Sequence, residues 1–209
     1  EVEQLVGRSI GKEEVLQGKG EEDRWFVAAR WQREQDRLIT SGSWMHGEKS
    51  GRWALVLRFA VLPSRPVEPW PLGSVVETEM VFYPGVVPDR ALPRNEGAAA
   101  RMDRVVPGPG GGFGLFLDSY AACLAANPWR SRRPFLVAAQ ATRHEGQPVL
   151  VDRSGSALPW TPTGGGEDLL VSIGAGRPIT MCGEWNGRTA TIHAADDAGS
   201  WFSLHSPAG

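Results

Sequence analysis

The chain has 209 residues, with 22 basic against 24 acidic side chains and a formal charge of −2. That length can bury a core of its own in one large or two small domains. The near-balance of charge excludes a whole-molecule field that would concentrate a polyanion or hold the chain on an acidic membrane. No apolar run approaches the roughly 18 residues of a spanning helix, and no charged-then-apolar leader opens the chain. No membrane partner and a cytoplasmic location are therefore expected. Two cysteines, Cys123 and Cys182, are too few for a disulfide framework or a four-thiolate zinc site. The 26 glycines and 16 prolines have no collagen-like period and read as turn punctuation between strands.

Residues 1–23 mix charge, glycine and a few apolar residues, and read as a lead-in with at most a short helix. From residue 24 the period becomes two: Trp25, Val27, Ala29 and Trp31 share one face of a strand. Leu38 to His46 and Arg52 to Val61 give two more, joined by Gly47-Glu48-Lys49-Ser50-Gly51, a hairpin loop with glycine at both ends. Prolines 63, 66, 69 and 71 make residues 62–73 a crossing loop, and Val75 to Tyr83 resumes as a fourth strand. Residues 24–92 form an N-terminal β meander. Residues 93–112 form a Gly/Pro-rich connector.

Phe113, Phe116, Leu117, Tyr120, Cys123 and Leu124 recur at helical spacing until Asn127-Pro128 stops the helix. Residues 113–209 are then this helix plus a C-terminal antiparallel β region. Its strands run over Phe135 to Thr142, Pro148 to Asp152, Leu158 to Pro162, Ile179 to Trp185, Arg188 to Ala194 and Ser200 to His205. Leu169 to Ile173 fits a strand or a helical turn equally. Asn186-Gly187 predicts a type I′ hairpin turn. The fold class expected is mainly β (α+β), two antiparallel β-rich halves joined by the Gly/Pro-rich segment and one short helix.

Chemistry-bearing residues are scattered. Gly7-Arg8-Ser9-Ile10-Gly11 matches the G-x-S-x-G elbow, but the alternating strands and helices which that elbow needs are absent. His46, His144, His193 and His205 stand near strand ends outside any ligand spacing. Cys182 in a strand and Cys123 on the helix stripe read as packed thiols. Glu77 and Glu79 share a strand face, and residues 107–112 are Gly-rich without a Walker lysine. No catalytic residue, metal ligand or cofactor is expected in this chain. Six of the nine tryptophans fall in or beside strands as packing residues. Trp70, Trp129 and Trp160 sit beside prolines in loops and are expected as surface anchors for a partner. Trp129 with Arg130, Arg132 and Arg133 forms the one basic-aromatic cluster.

Four segments resemble the C-terminal region of bacterial SWIM zinc-finger family proteins: His46-Gly47-Glu48-Lys49-Ser50-Gly51-Arg52-Trp53 with the following ALVLRFA, Val81-Phe82-Tyr83-Pro84-Gly85, Asn127-Pro128-Trp129, and Gly176-Arg177-Pro178 through Gly183-Glu184-Trp185-Asn186-Gly187. They lie within about residues 24–190. The Cys-x-Cys and Cys-x-His motif that names the family is not in this sequence, so no zinc ligand transfers to any residue here. The resemblance implies a domain accompanying such a module in a bacterial protein. The expected function is non-catalytic binding or scaffolding with a protein partner, nucleic acid being reached through the zinc-finger segment. Two alternatives remain open: a hydrolase with a Ser9 or Cys182 nucleophile, and a nucleic-acid module using Trp129 and Arg130 to Arg133.

Overall fold

A computed structural model describes residues 10–66, 70–101, 111–130, 132–162 and 166–204. The first half runs α1 (Lys12–Leu16), β1 (Gly20–Gln35), β2 (Leu38–Gly47), β3 (Trp53–Val61), β4 (Ser74–Phe82), β5 (Ala91–Pro93) and β6 (Ala99–Arg101). These strands pair in the order β3-β2-β1-β4-β5, with β6 also on β4. Alternation sends Trp25, Val27, Met45, Ala54, Val56, Val76 and Met80 to one side, where they form a single core. β1 is long enough to serve two neighbours. Its first residues pair with β4, its last with β2 alone, and a bulge between Val27 and Ala29 supplies the bend. A parallel bridge between Leu55 and Arg90 brings β3 against the entry to β5, so the sheet curls toward closure.

The second half repeats the scheme. It runs α2 (Phe113–Ala126), β7 (Arg133–His144), β8 (Gln147–Asp152), β9 (Ala157–Pro159), α3 (Gly166–Gly174), β10 (Ile179–Trp185), β11 (Ala190–Asp197) and β12 (Ser200–Ser203), in the order β12-β11-β10-β7-β8-β9. A parallel bridge joins Trp160, just after β9, to Ala190 at the head of β11. In each half, three strands form a meander and a crossover follows. The fourth strand then pairs antiparallel with the first, and the fifth pairs with the fourth and bridges in parallel to the third. This is the connectivity of the five-stranded Greek-key barrel known as the OB fold. The crossovers differ but do the same work: Trp70 from the proline-rich loop enters the first core, and Leu170 from α3 enters the second.

The barrels pack through a third core. Phe26, Ala28, Ala29 and Trp44 on the outside of β1 and β2 meet Cys182, Ala194 and Leu136 on β10, β11 and β7. Phe26 and Trp201 cross edge to face at 5.1 Å. α2 lays Phe113, Phe116 and Tyr120 over the second barrel. Among the described residues no helix is long and apolar enough to cross a membrane.

The mainly β reading in two antiparallel halves holds, with local corrections. β1 begins at Gly20 rather than residue 24, because β4 pairs with it from that residue. The connector contributes Pro93 to β5 and carries β6, strands too short for periodicity to reveal. Leu169 to Ile173 is helical, within α3. In the loop after β2 only Gly51 takes a left-handed φ, +64°. At Asn186-Gly187 only Gly187 has positive φ, so the hairpin is not type I′. The Asn186 side chain instead accepts the amides of Arg188 and Thr189 at 2.9 Å each. The paired positive φ of a type I′ turn occurs at Glu145-Gly146.

Candidate functional site

Residues 83–90, the loop between the fourth and fifth strands of the first barrel, carry Asp89 to the barrel junction. Its buried carboxylate accepts Arg133 Nη1 at 3.0 Å and Arg130 Nη2 at 2.5 Å, and Arg130 also donates to the Val87 carbonyl. Burial pushes the Asp89 carboxyl up, and the charges of Arg133, Arg130 and Arg52 only partly offset it, so it stays above the ordinary aspartate value. Two members of the expected basic cluster are therefore spent tying the second barrel to the first. Arg132 remains exposed and lends its charge to Glu184. Trp129 is 85% exposed, its backbone amide held by Asn127 Oδ1 at 3.1 Å.

The other two expected anchors are corrected. Trp70 is 1% exposed: it plugs the first barrel, donates from Nε1 to the Glu96 carbonyl at 2.6 Å and lies under Arg58. Trp160 is 5% exposed and belongs to the second core, where the parallel bridge to Ala190 fixes its backbone. A neighbouring proline marked the chain as leaving a strand. It did not mark the indole as facing solvent.

Beside the Asp89 tie lies a cleft of about 280 Å³. The first barrel supplies His46, Gly51 and Trp53; the start of α2 supplies Gly111, Gly112, Leu115, Phe116 and Ser119; β7 supplies Arg133 through Val137. Antiparallel register sets His46 opposite Trp53, and their rings meet at 4.9 Å. Burial pulls the His46 pKa down, against the Asp23 charge and the Gly51 carbonyl, leaving the imidazole neutral at pH 7. Its Nδ1 is sealed from solvent with no hydrogen-bond partner among the described residues. At the helix end of the cleft Asp152 Oδ2 accepts the Phe113 amide at 2.6 Å, so a carboxylate already meets the positive end of α2. The cleft thus offers aromatic and aliphatic walls, one neutral imidazole, one hydroxyl and one guanidinium already paired. That inventory suits recognition.

A second polar group sits between the barrels. His193, the bulged residue of β11, donates from Nε2 to Glu184 Oε2 at 2.7 Å. Burial pushes the Glu184 carboxyl up, but the His193 hydrogen bond and charge, Arg132 and Trp44 outweigh it and hold it below the ordinary glutamate value. Cys182, two residues before Glu184, is fully buried and its thiol is raised well above the usual range by that burial. Such a thiol is protonated and out of contact with solvent, the opposite of the exposed, activated thiolate a nucleophile needs. Cys123 is likewise buried. Glu79 is paired with Arg94 at 2.6 Å, and Glu77 stands 3.6 Å from Arg24. No group of three or more His, Cys, Asp or Glu side chains able to hold a metal occurs among the described residues. Ser9, His205 and residues 107–110 lie outside them.

Sequence reasoning singled out Trp129 and the arginines but missed Asp89 and the cleft. The Asp89 tie joins residues 44 apart and the cleft joins three separate segments of the chain, so no local spacing encodes either. Comparison with protein-family models, with curated proteins and with solved structures found no match to this chain.

Proposed function

We propose that this chain is a non-catalytic binding or scaffolding domain, accompanying a SWIM-type zinc-finger module in the cytoplasm of a bacterium, with a protein as its partner. The observation that carries the reading is the junction cleft: aromatic and aliphatic walls around a few polar groups suit an apolar side chain with a polar tip.

The nucleic-acid alternative loses support from the same geometry. OB-type barrels bind strands on the face of their second and third strands and on the loop between the fourth and fifth. Here the second barrel covers Trp44, Trp53 and Leu55 on that face of the first, and the loop holding Asp89 is bound to Arg130 and Arg133. The hydrolase alternative keeps only Ser9.

A photo-reactive residue in place of Ser119, on the cleft wall, is expected to cross-link one defined protein in the bacterial cell; no cross-link above that of an exposed control position would overturn the reading. Native treatment with a fluorophosphonate and with iodoacetamide is expected to leave Ser9 and Cys182 unmodified. Stoichiometric labelling of either would restore the hydrolase. The reading frame adjoining the chain tests the association, since a Cys-x-Cys and Cys-x-His pair encoded there is expected.

A further inference from the structure

Among the described residues the outer edge of β3 in the first barrel is open beyond Leu55. Leu55 donates its backbone N–H to the Asp89 carbonyl at 2.7 Å, on the side of β3 away from β2. Strand geometry then turns the N–H and C=O of Leu57, Phe59 and Val61 to that same side. Among the described residues the Leu55–Arg90 bridge is the only strand pairing there; the Val61 carbonyl also accepts the Ser64 N–H at 3.1 Å, which leaves it one lone pair, while Leu57 and Phe59 and the Val61 N–H have no backbone partner. The side chains of this stretch, Leu57-Arg58-Phe59-Ala60-Val61, are almost entirely apolar, and Phe59 and Val61 are 46% and 58% exposed. Leu38, opposite Val61 on β2, adds to the same outer face. Natural sheets blunt an edge with a charge, a proline or a bulge. Within this stretch the only charge is Arg58, and it is drawn away to Glu96 at 2.7 Å.

We propose that β3 pairs antiparallel with β3 of a second copy of this chain, about a two-fold axis at Phe59. Unpaired backbone donors and acceptors call for a strand as occupant. A two-fold axis makes this strand its own complement. Centred on Phe59, the pairing sets Leu57 against Val61 of the other copy and Arg58 against Ala60, so no charge faces its like. The window is bounded on both sides: Arg90 occupies the edge at Leu55, and Pro63, which has no N–H, ends it beyond Val61. Five residues remain, and Phe59 is their middle.

Sedimentation of the purified chain from micromolar to near-millimolar concentration is expected to show a monomer–dimer equilibrium. Phe59→Lys is expected to weaken it at least about tenfold while leaving the far-UV spectrum and melting temperature in place. Register is read separately by cysteine cross-linking. Residues facing each other in a hydrogen-bonded antiparallel pair have Cα atoms about 5.5 Å apart, within disulfide reach. Phe59→Cys should therefore oxidise to a covalent dimer, whereas Val61→Cys, four residues from its own copy, should not. A chain that stays monomeric throughout, a dimer indifferent to Phe59→Lys, or Val61→Cys linking as readily as Phe59→Cys would each overturn the proposal.

Discussion

Asp23 is buried at the start of β1, yet its carboxylate accepts the amides of Arg24 at 2.7 Å, Lys49 at 3.1 Å and Ser50 at 2.9 Å. It thereby fixes the loop between β2 and β3 that forms one wall of the cleft. Burial alone would raise its pKa, but these bonds outweigh it and hold the carboxyl below the ordinary value. A depressed folded pKa means the stabilisation is complete above the unfolded value near 3.9 and is lost as pH falls through the folded one. Asp23→Ala is expected to cost about 2 kcal/mol in urea unfolding at pH 7, with the gap to wild type closing below about pH 4. The tryptophans make the limit of single-residue reading concrete. Trp129 and Trp160 have the same local signature, an indole beside a proline, and opposite burial. Trp129→Ala is expected to change stability by less than about 0.5 kcal/mol, and Trp160→Ala to cost about 3–5 kcal/mol, in paired denaturant titrations. Composition around a residue cannot tell which core, if any, will close over it.

Elements were more legible than residues wherever the period was long enough to count. β1 to β4, α2 and the strands from β7 onward follow alternation or a helical stripe, and the structure keeps them within a few residues. β5 and β6, three residues each, are strands only because β4 supplies a partner, and α3 is helical in a stretch whose apolar run also fits a strand. The turn at Gly187 shows how tertiary contact settles a local choice. Its φ is +88°, and a Cβ there would stand 2.8 Å from the Tyr120 hydroxyl of α2. Gly187→Ala therefore meets both an unfavourable backbone and a neighbour, and is expected to lower stability by more than about 1 kcal/mol by thermal or chemical denaturation.

For the molecule as a whole, the sequence separated two β-rich halves but could not reveal that they share one connectivity, because the equivalent parts differ in kind. A tryptophan on a proline-rich loop plugs one barrel, and a leucine on a helix plugs the other. Nor could it reveal the Asp89 tie between them, which local spacing cannot encode. Asp89→Ala would leave Arg130 and Arg133 without their buried partner and is expected to cost about 3 kcal/mol. Its pKa lies above the unfolded value, so the fold disfavours its ionised form. Acidification from pH 7 should gain rather than lose stability through this group until its proton is bound, and a denaturation series in pH on wild type and variant reads the sign. One carboxylate reaches further than the others. Asp152 holds the Phe113 amide of α2 at 2.6 Å and, through its other oxygen, the Ser154 and Ser156 amides of its own turn at 2.8 and 3.0 Å. The helix start and a hairpin 40 residues later thus share one lock, and in hydrogen–deuterium exchange these three amides should open as a single cooperative unit, with one common free energy rather than three.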